Sequence, residues 1–148
     1  MKTVLITGSS KGIGAACARK FASEGMVLAQ NSSSTVTLKS GAVIQNIASA
    51  YAGAAIIANG SGPIINMESG SKITNIIGAA ENGETVETGG FAVRIDNGST
   101  FNMKGGEISN IQINTAHTGG AVYAYSGATV NISGDAQIYN NTCNNQPH

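Results

Sequence analysis

A chain of 148 residues holds enough apolar side chains to close one continuous core and leaves little room for a second. Only 11% of the residues are charged, eight basic against eight acidic, and no basic stripe with interleaved aromatics occurs; nucleic acid and anionic membrane surfaces are therefore excluded as partners. Cys17 and Cys143 lie at opposite ends, with neither CxxC spacing nor a histidine cluster, so no metal site and no disulfide framework is expected and both read as thiols.

In chain order the first element is Met1 to Gly25, MKTVLITGSSKGIGAACARKFASEG: a short apolar β-run, a glycine-rich turn and an alanine-rich helical stretch. The apolar run is too short for the core of an export signal or for a membrane span, so neither is expected here. The segment resembles the opening of a short-chain dehydrogenase/reductase, whose TGxxxGxG motif is matched by Thr7, Gly8, Gly12 and Gly14. That resemblance implies a pyrophosphate held at a helix N-terminus by Gly8, Lys11, Gly12 and Gly14, with Lys11 favouring the 2′-phosphate of NADP.

A dinucleotide site also needs a second strand with a ribose contact about twenty residues on, and after Gly25 neither is found. The family's TyrxxxLys pair is missing as well, because Tyr51, Tyr123, Tyr125 and Tyr139 are followed four residues later by Ala55, Gly127, Thr129 and Cys143. The expectation is thus no cofactor, with a fragment of an NADP-dependent dehydrogenase as the alternative and a fusion of unrelated segments as the preferred origin. From about Gly12 to Glu24, Ile13, Ala16, Cys17 and Phe21 share one helical face, which predicts a cap over the first rung of the stack that begins beyond Gly25.

From residue 26 to 148 the grammar changes to a repeat. Four segments share one pattern: VTLKSGAVIQN from Val36, INMESGSKITN from Ile65, FNMKGGEISN from Phe101 and VNISGDAQIYN from Val130. Their closing asparagines, Asn46, Asn75, Asn110 and Asn140, stand 29, 35 and 30 residues apart. Each segment is preceded by a second element, at Gly25, Gly53, Gly89 and Gly119, so every unit holds several short strands. Apolar and polar residues alternate, as at Val93 and Ile95 or Phe101 and Met103, which is the period of a strand with one buried face.

A unit of this size cannot bury its own apolar face, so successive units must stack with equivalent strands in parallel. The fold expected is all-β: a right-handed parallel β-helix of about three to four rungs, preceded by the residue 1–25 segment as cap. Ile44, Ile73, Ile108 and Ile138 are expected in one interior column. Asn46, Asn75, Asn110 and Asn140 are expected in another, at a corner where asparagine accepts positive φ and its amides bond along the stack.

Phrases such as GGAVYAYSGATVNISGDAQIYNN resemble the glycine-rich, pectin-lyase-like β-helix repeats of bacterial cell-surface and adhesin-like proteins, over about Gly25 to Cys143. The resemblance implies an extracellular or surface location and a noncatalytic module that is structural or binds carbohydrate or protein. A polysaccharide lyase or hydrolase remains a further alternative within the same family.

If Val93, Ile95, Val122 and Ala124 point inward, Arg94, Asp96, Tyr123 and Tyr125 form one outward patch on adjacent rungs, suited to stacking on a sugar face. Acid–base chemistry on a polysaccharide needs two positioned carboxylates, and Glu81, Glu84 and Glu87 cluster only in a polar loop, the insertion that lengthens one repeat. His117 precedes a glycine turn with no serine or acid beside it, so no catalytic residue is expected. Open strand edges at the last rung predict self-association through that end.

Overall fold

The computed structural model describes residues 27–30, 34–49, 55–60, 62–78, 89–113, 119–143 and 146–147. Throughout these the chain is all-β without a helix, and its strands lie in parallel sheets. The strands come in successive triplets. The first is β1 (Val27–Gln30), β2 (Thr35–Leu38) and β3 (Val43–Ser49); the second is β4 (Ile56–Asn59), β5 (Ile64–Met67) and β6 (Lys72–Gly78). The third is β7 (Gly89–Ile95), β8 (Thr100–Met103) and β9 (Glu107–Ile113). The fourth is β10 (Gly119–Ala124), β11 (Thr129–Ile132) and β12 (Gln137–Tyr139), followed by β13 (Thr142–Cys143) and β14 (Gln146–Pro147).

Each triplet gives one strand to each of three sheets. The first sheet runs β1-β4-β7-β10, the second β2-β5-β8-β11, and the third β3-β6-β9, with β12 and β13 both on β9. β14 turns back antiparallel on β13. The registers pair equivalent residues of the repeat: Val36 with Ile65, Ile65 with Phe101, and Phe101 with Val130 in the second sheet. In the third sheet Ile44 pairs with Ile73, Ile73 with Ile108 and Ile108 with Ile138, so the expected isoleucine column is present.

The corners arise from backbone stereochemistry. Asn46, Asn75, Asn110 and Asn140 all have positive φ, between 53° and 60°, a region asparagine enters at lower cost than other side-chain-bearing residues. In β6 the effect on side-chain direction is plain: Ile73 is buried, Thr74 and Asn75 both face outward, and Ile76 is buried again. One left-handed residue resets the two-residue alternation, bends the strand and returns an isoleucine to the interior three positions later. The pairs Ile44-Ile47, Ile73-Ile76 and Ile108-Ile111 repeat that spacing.

In the fourth repeat Asn141 stands where the second isoleucine would be, and it too is buried. Its Oδ1 accepts a hydrogen bond from the Ile111 backbone N–H at 3.0 Å, so an amide side chain takes the place of a ladder carbonyl. Beyond it, Cys143 is a buried thiol in register with Ile113. Cys17, the expected cap face and the loop from Glu81 to Thr88 lie outside the described residues.

The core is one cluster running through the stack. Phe91, Phe101, Ile65, Met67, Met103, Ile73, Ile108 and Val93 are fully enclosed, each worth roughly 1.5–3 kcal/mol by burial. The interior expected of the fourth repeat is corrected, however. Ile138 is 40% and Ile132 56% exposed, and Val130 and Ala124 are exposed too. No described strand pairs on the far side of β10, β11 or β12, so the inward positions of the last triplet are covered from one side only.

Candidate ligand-binding face

The outer face of the first sheet carries the charged and aromatic residues singled out from the sequence. Register in β4, β7 and β10 places Ile57, Arg94 and Tyr123 in one column across the strands. Backbone bonds from Asp96 N to Ala58 O and from Tyr125 N to Ile95 O place Asn59, Asp96 and Tyr125 in the next. Val93 and Ile95 point inward and are fully buried, as expected, and Val122 packs against the core.

Four side chains are thereby brought into contact. Arg94 Nε donates to both oxygens of Asp96, at 3.2 and 3.3 Å. The Arg94 guanidinium carbon lies 4.9 Å from the centroid of the Tyr125 ring, within cation–π range. Tyr123 and Tyr125 meet edge to face, with centroids 4.8 Å apart and planes 64° apart. The expected outward position of Asp96 is corrected in degree: it is only 7% exposed, withdrawn under the arginine, while Tyr125 remains exposed.

The turn after β7 fixes the backbone of Asp96. Asn97 and Gly98 both have positive φ, closing the chain sharply enough for Ser99 N to donate to Asp96 O at 3.1 Å. Ser99 is itself buried, and its hydroxyl donates to the Asp96 carbonyl and to Gly60 O. The face is therefore built on tight backbone, with the Tyr125 ring in contact both with the Tyr123 ring and with the guanidinium of a tethered ion pair.

A second cluster, on the outer face of the third sheet, is absent from the sequence-based expectations. Lys72 Nζ lies 2.9 Å from Glu107 Oε2, and the buried Ser109 hydroxyl donates to Glu107 Oε1 at 2.6 Å. Tyr139, which follows the column isoleucine one repeat later, acts on the same carboxylate and lowers it further. The hydrogen bonds from Ser109, Lys72 and Tyr139, in that order, hold the Glu107 carboxyl down at about 2. The Glu107 carboxylate in turn raises the Lys72 ammonium, through its hydrogen bond and its charge. A carboxylate so firmly ionised accepts bonds and does not exchange protons near neutrality. The signal lies in the repeat itself, where Lys72 and Glu107 each precede the column isoleucine and Ser109 and Tyr139 each come after it.

A third feature runs along the second sheet. Asn131 Nδ2 donates to Asn102 Oδ1 at 2.9 Å, Asn102 Nδ2 to Asn66 Oδ1 at 3.0 Å, and Asn66 Nδ2 to Thr37 Oγ1 at 3.4 Å. This is the amide ladder expected instead at the corner asparagines. There the ladder is broken: Asn75 Nδ2 donates to Asn46 Oδ1, but Asn110 Nδ2 turns to Thr74 Oγ1. The insertion between the second and third repeats leaves these strands in register, so side-chain rotation and not stagger redirects Asn110.

Among the described residues no three His, Cys, Asp or Glu side chains converge as metal ligands would. Gly8, Lys11, Gly12 and Gly14, together with Glu81, Glu84, Glu87 and His117, lie outside the described residues. Neither a protein-family model, nor a curated protein, nor a solved structure matches the chain.

Proposed function

We propose that this chain is a noncatalytic β-solenoid module, a right-handed parallel β-helix of about three to four rungs of the cell-surface type, that binds carbohydrate on the outer face of its first sheet. The solenoid reading is supported by triplets that visit the three sheets in one order with equivalent residues in register. The right hand is supported by the general rule for strand, crossover and parallel strand. The noncatalytic reading is supported by the separation of the described carboxylates, Glu107 being tied to Lys72 and Ser109 on the third sheet and Asp96 to Arg94 on the first, so that these two do not form the pair that glycoside chemistry needs.

The binding reading rests on one observation: the Tyr125 ring at the surface in contact with Tyr123 and with the guanidinium of Arg94, which is itself tied to Asp96. Exposed rings present apolar faces to the C–H faces of a pyranose, and the surrounding polar groups bond its hydroxyls. Affinity electrophoresis through gels containing soluble plant and bacterial polysaccharides tests it. Retardation by at least one polymer is expected, weakened about five- to tenfold by Tyr125→Ala, the scale of one aromatic contact. Tyr139→Phe, on another face, leaves retardation unchanged. Equal retardation of the Tyr125→Ala and parent proteins defeats the assignment of the face, and release of unsaturated or reducing sugars during incubation defeats the noncatalytic reading.

A further inference from the structure

The charge arrangement under the tyrosines narrows the ligand. Arg94 is the one cation among the described residues of this face, and its Nε is shared between both oxygens of Asp96. The side chains of the pair are only 23% and 10% exposed, so the two charges are matched within a partly dry environment. Asn59, Asn97 and Ser126, which adjoin them in the sheet and turns, are uncharged, as are Ile57, Tyr123 and Tyr125. Among the described residues, this face carries no net charge.

An acidic sugar stacking on Tyr125 would approach a guanidinium already committed to Asp96 and would bring its own carboxylate towards that of Asp96. A neutral sugar meets no such opposition, since hydroxyls can donate to the Asp96 carboxylate and accept from the Arg94 guanidinium. Resting on the carbohydrate reading above, we infer that this face selects neutral pyranose polymers and rejects polyuronates, with Asp96 as the residue that sets the choice. Asp96 neutralises the arginine that would otherwise recognise a carboxylate through paired N–H donors.

The test is isothermal titration of the whole chain with dextran, galactomannan and xyloglucan as neutral polymers, and with polygalacturonate and alginate as polyuronates. Each is run at about 0.1 M and about 1 M salt, between which the screening length falls from about 10 to about 3 Å. The expected result is binding to a neutral polymer at the same affinity in both salts and no binding to either polyuronate. Asp96→Asn, which keeps the shape and removes the charge, gains polyuronate binding by about tenfold or more, lost again at high salt. Tyr125→Ala weakens this gain, like the binding of neutral polymers, about five- to tenfold.

Polyuronate preference in the unaltered chain overturns the selectivity while leaving carbohydrate binding intact. Failure of a natively folded Asp96→Asn, checked by circular dichroism, to gain polyuronate binding overturns the role of Asp96. Should Asp96→Asn not fold, the polymer and salt comparison on the unaltered chain still decides the selectivity. An unaltered chain that binds none of the five polymers defeats both this inference and the reading beneath it.

Discussion

At the scale of single residues, the decisive contacts combine side chains two positions apart on one strand with side chains from the neighbouring triplet. Glu107 is the clearest case: Ser109 and, from 35 residues earlier, Lys72 bond its carboxylate, and Tyr139 one repeat later helps to hold it ionised. Its carboxyl is lowered from the ordinary 4.5 to about 2, so the folded state prefers the ionised form. A depressed acid contributes stability that is complete above its unfolded value and is lost as pH falls through its folded value. Glu107→Gln is therefore expected to unfold at lower urea than the parent at pH 7, with the gap closing as pH falls from about 4.5 to about 2. A gap that stays constant across that range would show that the carboxylate contributes nothing through its charge. The exposed lysine partner, by contrast, adds little by itself.

At the scale of elements, the strands are held to one another by places where a side chain is absent. Gly78 ends β6 directly under the Phe91 ring of β7, and a Cβ there would lie 2.6 Å from Phe91 Cε1 and 2.7 Å from Cδ1. Phe91 is fully enclosed and has no room to swing aside. Gly78→Ala is expected to cost about 1–3 kcal/mol in chemical denaturation through overpacking. Gly120→Ala, whose Cβ meets nothing closer than 3.6 Å, should cost much less. Equal losses would mean that strand entropy and not the aromatic contact decides. Gly105 works the same way on the turns: Ser69 Oγ donates to Asp135 Oδ1 at 2.6 Å across the rung that Gly105 leaves bare.

At the scale of the whole molecule, each triplet is stabilised chiefly by its neighbours, so the worth of a residue depends on its place along the stack. Ile108 and Ile138 occupy equivalent register positions, yet Ile108 is fully buried between rungs and Ile138 is covered on one side. Ile108→Ala is expected to cost about 2–5 kcal/mol, as for a buried isoleucine, and Ile138→Ala about 1 kcal/mol or less. Guanidinium midpoints of the two variants at pH 7 measure the difference. Equal costs would show that the last triplet is enclosed in solution as fully as the third. The outer face of the first sheet is assembled on the same principle, with Arg94 and Asp96 from one triplet completed by Tyr123 and Tyr125 of the next.

The parallel register, the isoleucine column and the left-handed asparagine corners are all legible in the order of amino acids. They arise from a repeat whose apolar spacing, two residues within strands and three across Asn75 and Asn110, keeps Ile73, Ile76, Ile108 and Ile111 inside. The same alternation puts Arg94, Asp96, Tyr123 and Tyr125 on one face, because it decides side-chain direction. Three outcomes belong to the folded stack alone: Asp96 sinks beneath Arg94, the amide ladder runs along Asn66, Asn102 and Asn131 and not the corners, and Glu107 gathers Lys72, Ser109 and Tyr139. They depend on rotamers and on distances of a few ångströms between neighbouring rungs, which the hydrophobic pattern leaves open because outward side chains contribute little to the burial that sets the register.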